Sequence, residues 1–599
     1  MDLSDSGIKR LSKSIGRLIH LRYIDLSHTF LETLPKTVCR LFNLQTLNLS
    51  DCYNLKVLPE EMKHLVNLRH LIIKNCTRLT RMPPSIRNLL NLQTLSFYIV
   101  GRSFEESLFQ LVHLDLRGEI KIRRLENAFD IVPDLCLNQK QLHSLGLSWG
   151  DDDETKSNGS FRHPVNEQHG CNDEVLLKGL QPNAGLRKLY LSGYSGVNFP
   201  QWLNCVTTPN LRELVLKNCK NCEQLPSLGQ LQFLEVLSIQ GLDALKRIGD
   251  EFYGEGCNNM QFPSLKQLTL KNCPSLEAWE CPESSTNTFN CLDSLSIIGC
   301  PRLKTMPWFP NIHHLELRNC NARITRAAAE LTSLSTLVID VFPELSYLPH
   351  GLLQNNSSLT SLIISSCPQL SSLPWDLRNL GSLKSLTIRW CEDLSALPQE
   401  IRNMTSLESL EITECPSLSS LPEEGIKGLH SLRSLSIENC CNLISLPKSI
   451  MHLTALERLT IMYCPSLANL PDGLQYLSSL HSLSIISCQE LAHLPDALQH
   501  VKTLQNLEIC SCPNLMELPE WVENLISLRS LKIYDCSGIT SLPRGLKGLS
   551  ALQHLSIRDC PALEEECQKN WEQISHVPYL YIGSSAPTLG LEDVASSSQ

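Results

Sequence analysis

Along the C-terminal half of the chain the apolar positions recur on a fixed beat. Segments such as LKSLTIRWCEDLSALP start at Leu359, Leu383, Leu407, Leu432, Leu456, Leu480, Leu504, Leu528 and Leu552, spaced by 24 residues with a single step of 25. The same spacing opens the chain, with starts at Leu21, Leu44, Leu68 and Leu92, and persists less regularly at Leu186, Leu211, Leu234, Leu265, Leu292, Ile312 and Leu334. In LKSLTIRW, Leu386 and Ile388 alternate with Ser385, Thr387 and Arg389. A period of two predicts a short strand with the first pair turned inward and the second set outward. Pro398 in the following DLSALP limits the chain to an irregular return path.

Each unit reads L-x-x-L-x-I/L-x-x-C-x-x-L-x-x-L-P followed by x-x-I/L-x-x-L-x-x. This is the leucine-rich repeat pattern with Cys at its Asn/Cys position. One unit cannot fold alone: burying four or five large aliphatic side chains yields about 8 to 12 kcal/mol, against an ordering entropy of about 1 to 2 kcal/mol for each of its residues. Stacking is therefore obligatory. The expected fold class is an α/β repeat solenoid: a leucine-rich repeat horseshoe with a continuous parallel β-sheet on its concave face and a mostly irregular, short-helical convex side.

Fifteen cysteines occupy the strand-end position: Cys52, Cys76, Cys219, Cys273, Cys300, Cys320, Cys367, Cys391, Cys415, Cys440, Cys464, Cys488, Cys512, Cys536 and Cys560. They are expected to form a buried ladder of thiols about 4.8 Å apart, each a small hydrophobe and weak donor to turn carbonyls. Cys441 and Cys510, the partners of the ladder cysteines Cys440 and Cys512, are expected to be exposed.

The beat divides the chain. Residues 1–20 read as a partial first repeat whose strand is missing, leaving an uncapped apolar edge, and 21–100 as N-terminal repeats. Residues 101–185 read as irregular repeats with a mobile acidic loop at 150–174, GDDDETKSNGSFRHPVNEQHGCNDE. Irregularly spaced repeats fill 186–333 and regular 24-residue repeats 334–563. A C-terminal cap at 564–582 keeps Trp571, Ile574, Val577, Tyr579 and Ile582 for its core, and a disordered tail follows at 583–599.

Composition narrows the function. Charged residues make up 19% and 42% are apolar, which excludes a disordered chain. A net charge of -10 offers no broad basic surface for phosphates, so nucleic acid is not an expected partner. There is no run of about 18 apolar residues for a membrane span and no secretory leader. The cytosol is the expected location, with the nucleus as an alternative, and the 26 cysteines are expected to be free thiols. No P-loop, Gly-x-Ser-x-Gly elbow, His-Glu-x-x-His helix or kinase signature is present. The lone CKNC at Cys219–Cys222 lacks the second pair that tetrahedral zinc needs. No catalytic, cofactor or metal site is expected.

What remains is the row of outward strand positions, whose chemistry changes from repeat to repeat on a constant frame. The candidate partner-binding residues on the concave face are Arg389, Trp390, Glu411, Thr413, Glu438, Arg458, Met462, Tyr463, Glu508, Lys532, Tyr534, Asp535, Arg558 and Asp559. Aromatic and arginine side chains are the favoured anchors of protein interfaces.

The segments IKRLSKSIGRLIHLRYIDLS, LQTLNLSDCYNLKVLPEEMKHLVNLRHL, LQTLSFYIVG, LRGEIKIRRLEN, GYSGVNFPQWL, LRELVLKNCKNCEQLPSLGQLQFLEVLSI, EFYGEG and NWEQISHVPYLYIG occur in this order. Together they resemble the leucine-rich repeat region of plant coiled-coil NLR disease-resistance proteins, over nearly the whole chain. The resemblance implies a horseshoe that holds an NB-ARC switch off and helps to recognise pathogen effectors. Its implied partners are proteins: an effector or host guardee, and an NB-ARC domain in cis or in trans. It places Asp25, His28, Asn48 and Lys74 of the first repeats toward that switch. The chain has no P-loop, Met-His-Asp motif or coiled coil of its own, so ATP binding is not carried over. The alternative reading is a substrate-recruiting repeat subunit of a ubiquitin ligase, or another interaction scaffold.

Overall fold

In a computed structural model, residues 1–84, 86–128, 135–150, 169–254, 261–281 and 288–583 are described. The chain divides into two compact units, Met1–Ile312 and His313–Gln599. In the second unit the 24-residue beat becomes strands, each paired in parallel with the next in chain order: His314–Cys320, Thr336–Asp340, Ser361–Ser365, Ser385–Arg389, Ser409–Thr413, Ser434–Glu438, Arg458–Met462, Ser482–Ile486, Asn506–Cys510, Ser530–Tyr534, His554–Arg558 and Tyr579–Ile582. The register stacks like on like: Leu362, Leu386, Leu410, Leu435 and Leu459 form one row, and Ile364, Ile388, Ile412, Ile437 and Ile461 the next. Both rows are buried. Constant spacing is what makes this possible, because a slip of one residue would turn every leucine to the other face.

The return path is short-helical. After each Leu-Pro the chain makes a single tight turn, such as Trp375–Asn379, Gln399–Asn403 and Lys448–His452, capped by Pro374, Pro398 and Pro447 in extended conformation. Proline suits that place because its φ is already fixed and the N–H it lacks would have no partner in the turn.

The first unit is less regular. Strands Tyr23–Asp25, Thr46–Asn48, His70–Ile72 and Thr94–Leu95 form a four-stranded parallel sheet. A second sheet runs in parallel through Phe97–Ile99, Arg117–Arg123, Gln141–Ser148, Lys188–Ser192, Glu213–Lys217, Val236–Gln240, Gln267–Lys271 and Ser294–Cys300. The division falls at Ser96. Arg117–Arg123 runs beside both pieces, with Arg117 N donating to Gln93 O at 2.7 Å and Lys121 N to Ser96 O at 3.1 Å.

Several expectations need correction. The first residues do pair with the repeat that follows, short of a strand: Asp2 makes an isolated parallel bridge to Asp25, Leu3 N donates to Asp25 O at 2.9 Å and Asp5 N to Ser27 O at 3.0 Å. The leading MDLSD hid this, being too short and polar to show a period. The expected mobile loop 150–174 lies mostly outside the described residues, but His169–Gly179 is helical, and Glu174 Oε1 accepts from Val197 N at 2.9 Å and Asn198 N at 3.1 Å. In the cap, Ile574 and Val577 are buried, whereas Trp571 and Tyr579 are exposed. Cys510 is buried on the sheet face and Cys441 is half-buried, so neither is the exposed thiol expected. The expected tail lies outside the described residues apart from Gly583.

Candidate recognition surface

In the second unit the strand positions between the buried leucines and isoleucines point away from the core. Arg389 ends its strand and forks onto the neighbouring strand, its Nε and Nη2 donating to Glu411 Oε1 at 3.0 and 2.7 Å. Thr413 Oγ1 donates to the same oxygen at 3.4 Å. Glu438 stands on the next strand. Burial, and then repulsion from Glu411 and Glu414, push its carboxyl above the usual carboxylate range, with Arg389 pulling the other way. Arg458 opens its strand exposed and Met462 closes the same strand half-buried. Lys532 Nζ lies 3.6 Å from Glu508 Oε1, and Ser484 Oγ donates to Glu508 Oε2 at 3.3 Å. Tyr534 donates its hydroxyl proton to Ser556 Oγ at 3.1 Å, and the Arg558 guanidinium sits 5.7 Å from the Tyr534 ring centre. These ten residues form one surface of alternating charge with aromatic and thioether patches.

Trp390, Tyr463, Asp535 and Asp559 stand at the end of that row, one residue past their strands. Each follows the last strand residue and adopts a left-handed conformation, with φ of 51°, 53°, 49° and 54°. Its backbone N–H still extends the ladder, as Trp390 N does to Thr413 O at 3.0 Å and Tyr463 N to Ile486 O at 2.8 Å. The handedness change carries the side chain off the strand alternation. Trp390 and Tyr463 are each 50% exposed at the rim where the strands end.

The N-terminal candidates separate in the same way. Asp25 is only 8% exposed. Burial raises its carboxyl, but hydrogen bonds from Ser27 Oγ (2.6 Å), Tyr23 Oη (2.7 Å), Ser27 N (2.9 Å) and Asn48 Nδ2 (2.9 Å) outweigh that and hold it at about 2. Asn48 is consumed too, its Oδ1 accepting from Ser50 N and Ser50 Oγ. His28, exposed and left-handed at φ 56°, has Nε2 3.6 Å from Asp51 Oδ2. Lys74 pairs with Glu119 on the second sheet.

The cysteine ladder is structural. Its thiols point at strand-end carbonyls: Cys367 Sγ at 3.3 Å from Ser365 O, Cys464 at 3.4 Å from Met462 O and Cys560 at 3.2 Å from Arg558 O. In the first repeats, Cys52 and Cys76 reach back one repeat to Leu26 O and Leu49 O, both at 3.1 Å.

The sequence reading missed two features of the first unit. One is a ladder of asparagines: Asn43, Asn67, Asn91, Asn210 and Asn311 each donate from Nδ2 to a carbonyl of the preceding repeat, at 2.8 to 3.0 Å. The recurrent NLQTL, NLRHL, NLREL and NIHHL segments carry that signal. The other is a charged sheet face of Glu119, Lys121, Arg123, Lys188, Tyr190 and Glu213, which irregular spacing concealed.

Comparison with known proteins agrees with this architecture. A family model described as R13L1/DRL21 LRRs matches residues 108–242 and 489–560, and one described as Leucine Rich Repeat matches 43–65. The disease resistance protein RGA1 of Solanum bulbocastanum is 33% identical over 63% of this chain, and RGA4 of the same species is 34% identical over 45%. The chain spans 37% and 26% of the lengths of these two relatives. Among solved structures, the leucine-rich repeat domain of the type III effector XCV3220 (XopL) is 27% identical, covering 40% of this chain and 80% of its own, at a TM-score of 0.36. The fold therefore rests on the strand pairing above. The chain has the leucine-rich repeat fold, and its repeats are similar to those of plant disease-resistance proteins.

Proposed function

We propose that this chain is the non-catalytic recognition module of an intracellular plant immune receptor, binding a pathogen effector or a host protein watched by the receptor. The reading is carried by one observation: from Arg389 to Arg558 the buried rows repeat leucine on leucine while the outward positions change charge and shape from strand to strand. A constant frame with variable display is what selective protein binding needs. The relatives' names point to defence.

The first repeats take a different partner, the NB-ARC switch, in cis or in trans, which they hold in its resting state. Ile19, Phe42, Val66 and Leu90 occupy the same place in successive repeats and are all exposed. Recurring at one place in four successive repeats, they are exposed apolar positions of the kind that mark a protein contact. In later repeats the corresponding place is polar at Thr405, His430, Thr454 and Ser478, though Ile526 is an exposed exception.

The test is a combined charge reversal, Glu411→Lys, Glu438→Lys, Arg458→Glu and Lys532→Glu, with partners captured from plant extract and identified by mass spectrometry. A protein partner present on the wild-type chain is expected to be lost, with thermal unfolding unchanged. Capture of the same partners by the reversed chain would overturn recognition by this face.

A further inference from the structure

In the second unit the last position of each strand forms a row of its own, and along that row the chemistry is ordered. The register sets Glu438 beside Met462, followed in adjacent strands by Ile486, Cys510, Tyr534 and Arg558. Four apolar side chains therefore stand side by side between a carboxylate and a guanidinium. Met462, Ile486 and Tyr534 are half-buried, while Cys510 is 8% exposed and makes a dip between its two larger neighbours. Burial pushes the Cys510 thiol up to about 12, which keeps it uncharged and a small hydrophobe. At about 4.8 Å per strand the apolar run spans about 14 Å.

Arg558 ends the row in a way that sets it apart from other basic residues of this face. Arg389 and Lys532 are paired with Glu411 and Glu508. Arg558 is in no ion pair among the described residues, and its buried Nε has no hydrogen-bond partner among them. It lies between two rings instead, its guanidinium 5.7 Å from the centre of Tyr534 and 6.0 Å from that of Tyr581. Tyr534 is itself fixed, through the bond from its hydroxyl to Ser556 Oγ at 3.1 Å. The carboxylates next to it in sequence, Asp535 and Asp559, occupy left-handed positions, and Asp535 Oδ2 accepts from Ser511 Oγ at 3.0 Å. A guanidinium held between rings keeps its plane fixed for a carboxylate, and little rotamer freedom is lost when one arrives.

We infer, resting on the reading that this face recognises a protein, that the row binds an extended segment of the partner lying across the strands, with a carboxylate on Arg558 and two apolar side chains on the Tyr534–Cys510 step and on Ile486. In an extended chain alternate side chains share a face about 7 Å apart. Apolar residues two and four places from the carboxylate therefore reach those two points. Glu438 at the far end of the row disfavours a second carboxylate there, which sets the orientation of the segment. A lone anion suits the site less well, because a single exposed charge pair contributes at most about 1 kcal/mol, whereas the apolar row adds contacts at successive residues.

The test uses the full chain and two fluorescein-labelled, C-terminally amidated pentapeptides, read by anisotropy. One has leucine at its first and third places, glutamate at its fifth and serine between; the other is its reverse. At least one is expected to bind. Replacing its glutamate by glutamine weakens binding at least about tenfold, or 1.4 kcal/mol, and replacing both leucines by serine does the same. Arg558→Gln lowers the affinity for the glutamate peptide and leaves that for the glutamine peptide unchanged, a difference that a merely structural role would not produce. Ile486→Ser weakens both alike. Should Arg558→Gln lower the melting temperature, the glutamate and glutamine peptides on the wild-type chain decide. No binding of either pentapeptide, equal binding of the glutamine peptide, or equal loss of both in a folded Arg558→Gln chain overturns the inference. So does a concentration-dependent dimer, seen by sedimentation, that Ile486→Ser dissolves, since that gives the row to a second copy of this chain. The two readings fail separately: partners retained by the charge-reversed chain overturn recognition by the face as a whole, whereas partners lost from it, with no peptide bound by the wild type, overturn only the segment inferred for the row.

Discussion

Cys391 is a thiol made inert by its surroundings. A hydrogen bond with Cys367, together with burial, pushes it up to about 12, and burial, helped by the nearby Cys441 and Glu438, lifts Cys464 to about 11. An unfolded thiol ionises near 8.5, so between about 8.5 and 11 the folded chain keeps protons that the unfolded chain releases. The stability these thiols contribute is complete below about pH 8.5 and is lost as pH rises toward 11 to 12, with a slope of up to about 1.4 kcal/mol per pH unit for each. Guanidinium unfolding under reducing conditions is expected to show a flat midpoint from pH 7 to 8 and a steepening fall above 8.5; a midpoint level to pH 10 would contradict the ladder. Asp25 works in the opposite direction. Held at about 2 against about 3.9 unfolded, it stabilises fully above pH 4 and loses that contribution as pH falls through 2. Asp25→Asn is expected to cost about 1 to 2 kcal/mol at pH 6 after allowance for solvent screening. The gap from wild type narrows toward pH 2, as thermal unfolding at the two pH values would show.

Most strands end in or are followed within a few residues by one residue of left-handed backbone, and the repeats differ in how well they fill that place. Asn75, Asn218, Asn272, Asn319, Asn439, Asp51, Asp535 and Asp559 suit it, since short polar side chains tolerate positive φ. Val341, at φ 58°, does not, because a β-branched side chain crowds the following carbonyl there. Its N–H keeps the ladder bond to Ser365 O at 3.1 Å, so the strain is outweighed by the array on either side. Val341→Asn is therefore expected to stabilise the chain by about 1 kcal/mol, raising the denaturant midpoint without changing the slope; a lower midpoint would count against the strain. The same position explains part of what the sequence concealed. Period-two reading continues past Arg389 to Trp390 and past Met462 to Tyr463, because nothing in either residue announces a change of handedness. The strands themselves were legible: Leu386 and Ile388 recur unaltered in every repeat from Leu359 onward, and an uninterrupted spacing allows one register.

Across the molecule, legibility follows the regularity of spacing. The outward row from Arg389 to Arg558 could be read from the repeat, because equal steps put equal positions side by side. The charged sheet face of the first unit could not: Lys121, Gly146 and Tyr190 come side by side through steps of 25 and 44 residues, set by the register of the bulged strand Arg117–Arg123. Nor did the leucine pattern show what fills the wider return path of the long repeats in the first unit. There Phe252, Tyr253, Phe262, Trp279, Phe289 and Phe309 form a continuous aromatic stack. Phe262 and Phe289 lie parallel with centres 4.9 Å apart, and Trp279 Nε1 donates to Tyr253 Oη at 3.0 Å. Phe289 touches four of the other rings and is fully buried, so its removal opens a cavity. Phe289→Ala is expected to cost about 3 to 5 kcal/mol. In an array where each repeat leans only on its neighbours, that loss stays local. Hydrogen exchange should show protection falling in Gln267–Lys271 and Ser294–Cys300 while Arg458–Met462 and Ser482–Ile486 keep theirs. Equal loss in all four strands would mean that the chain unfolds as one cooperative block, and that the aromatic stack is not a local substitute for leucine.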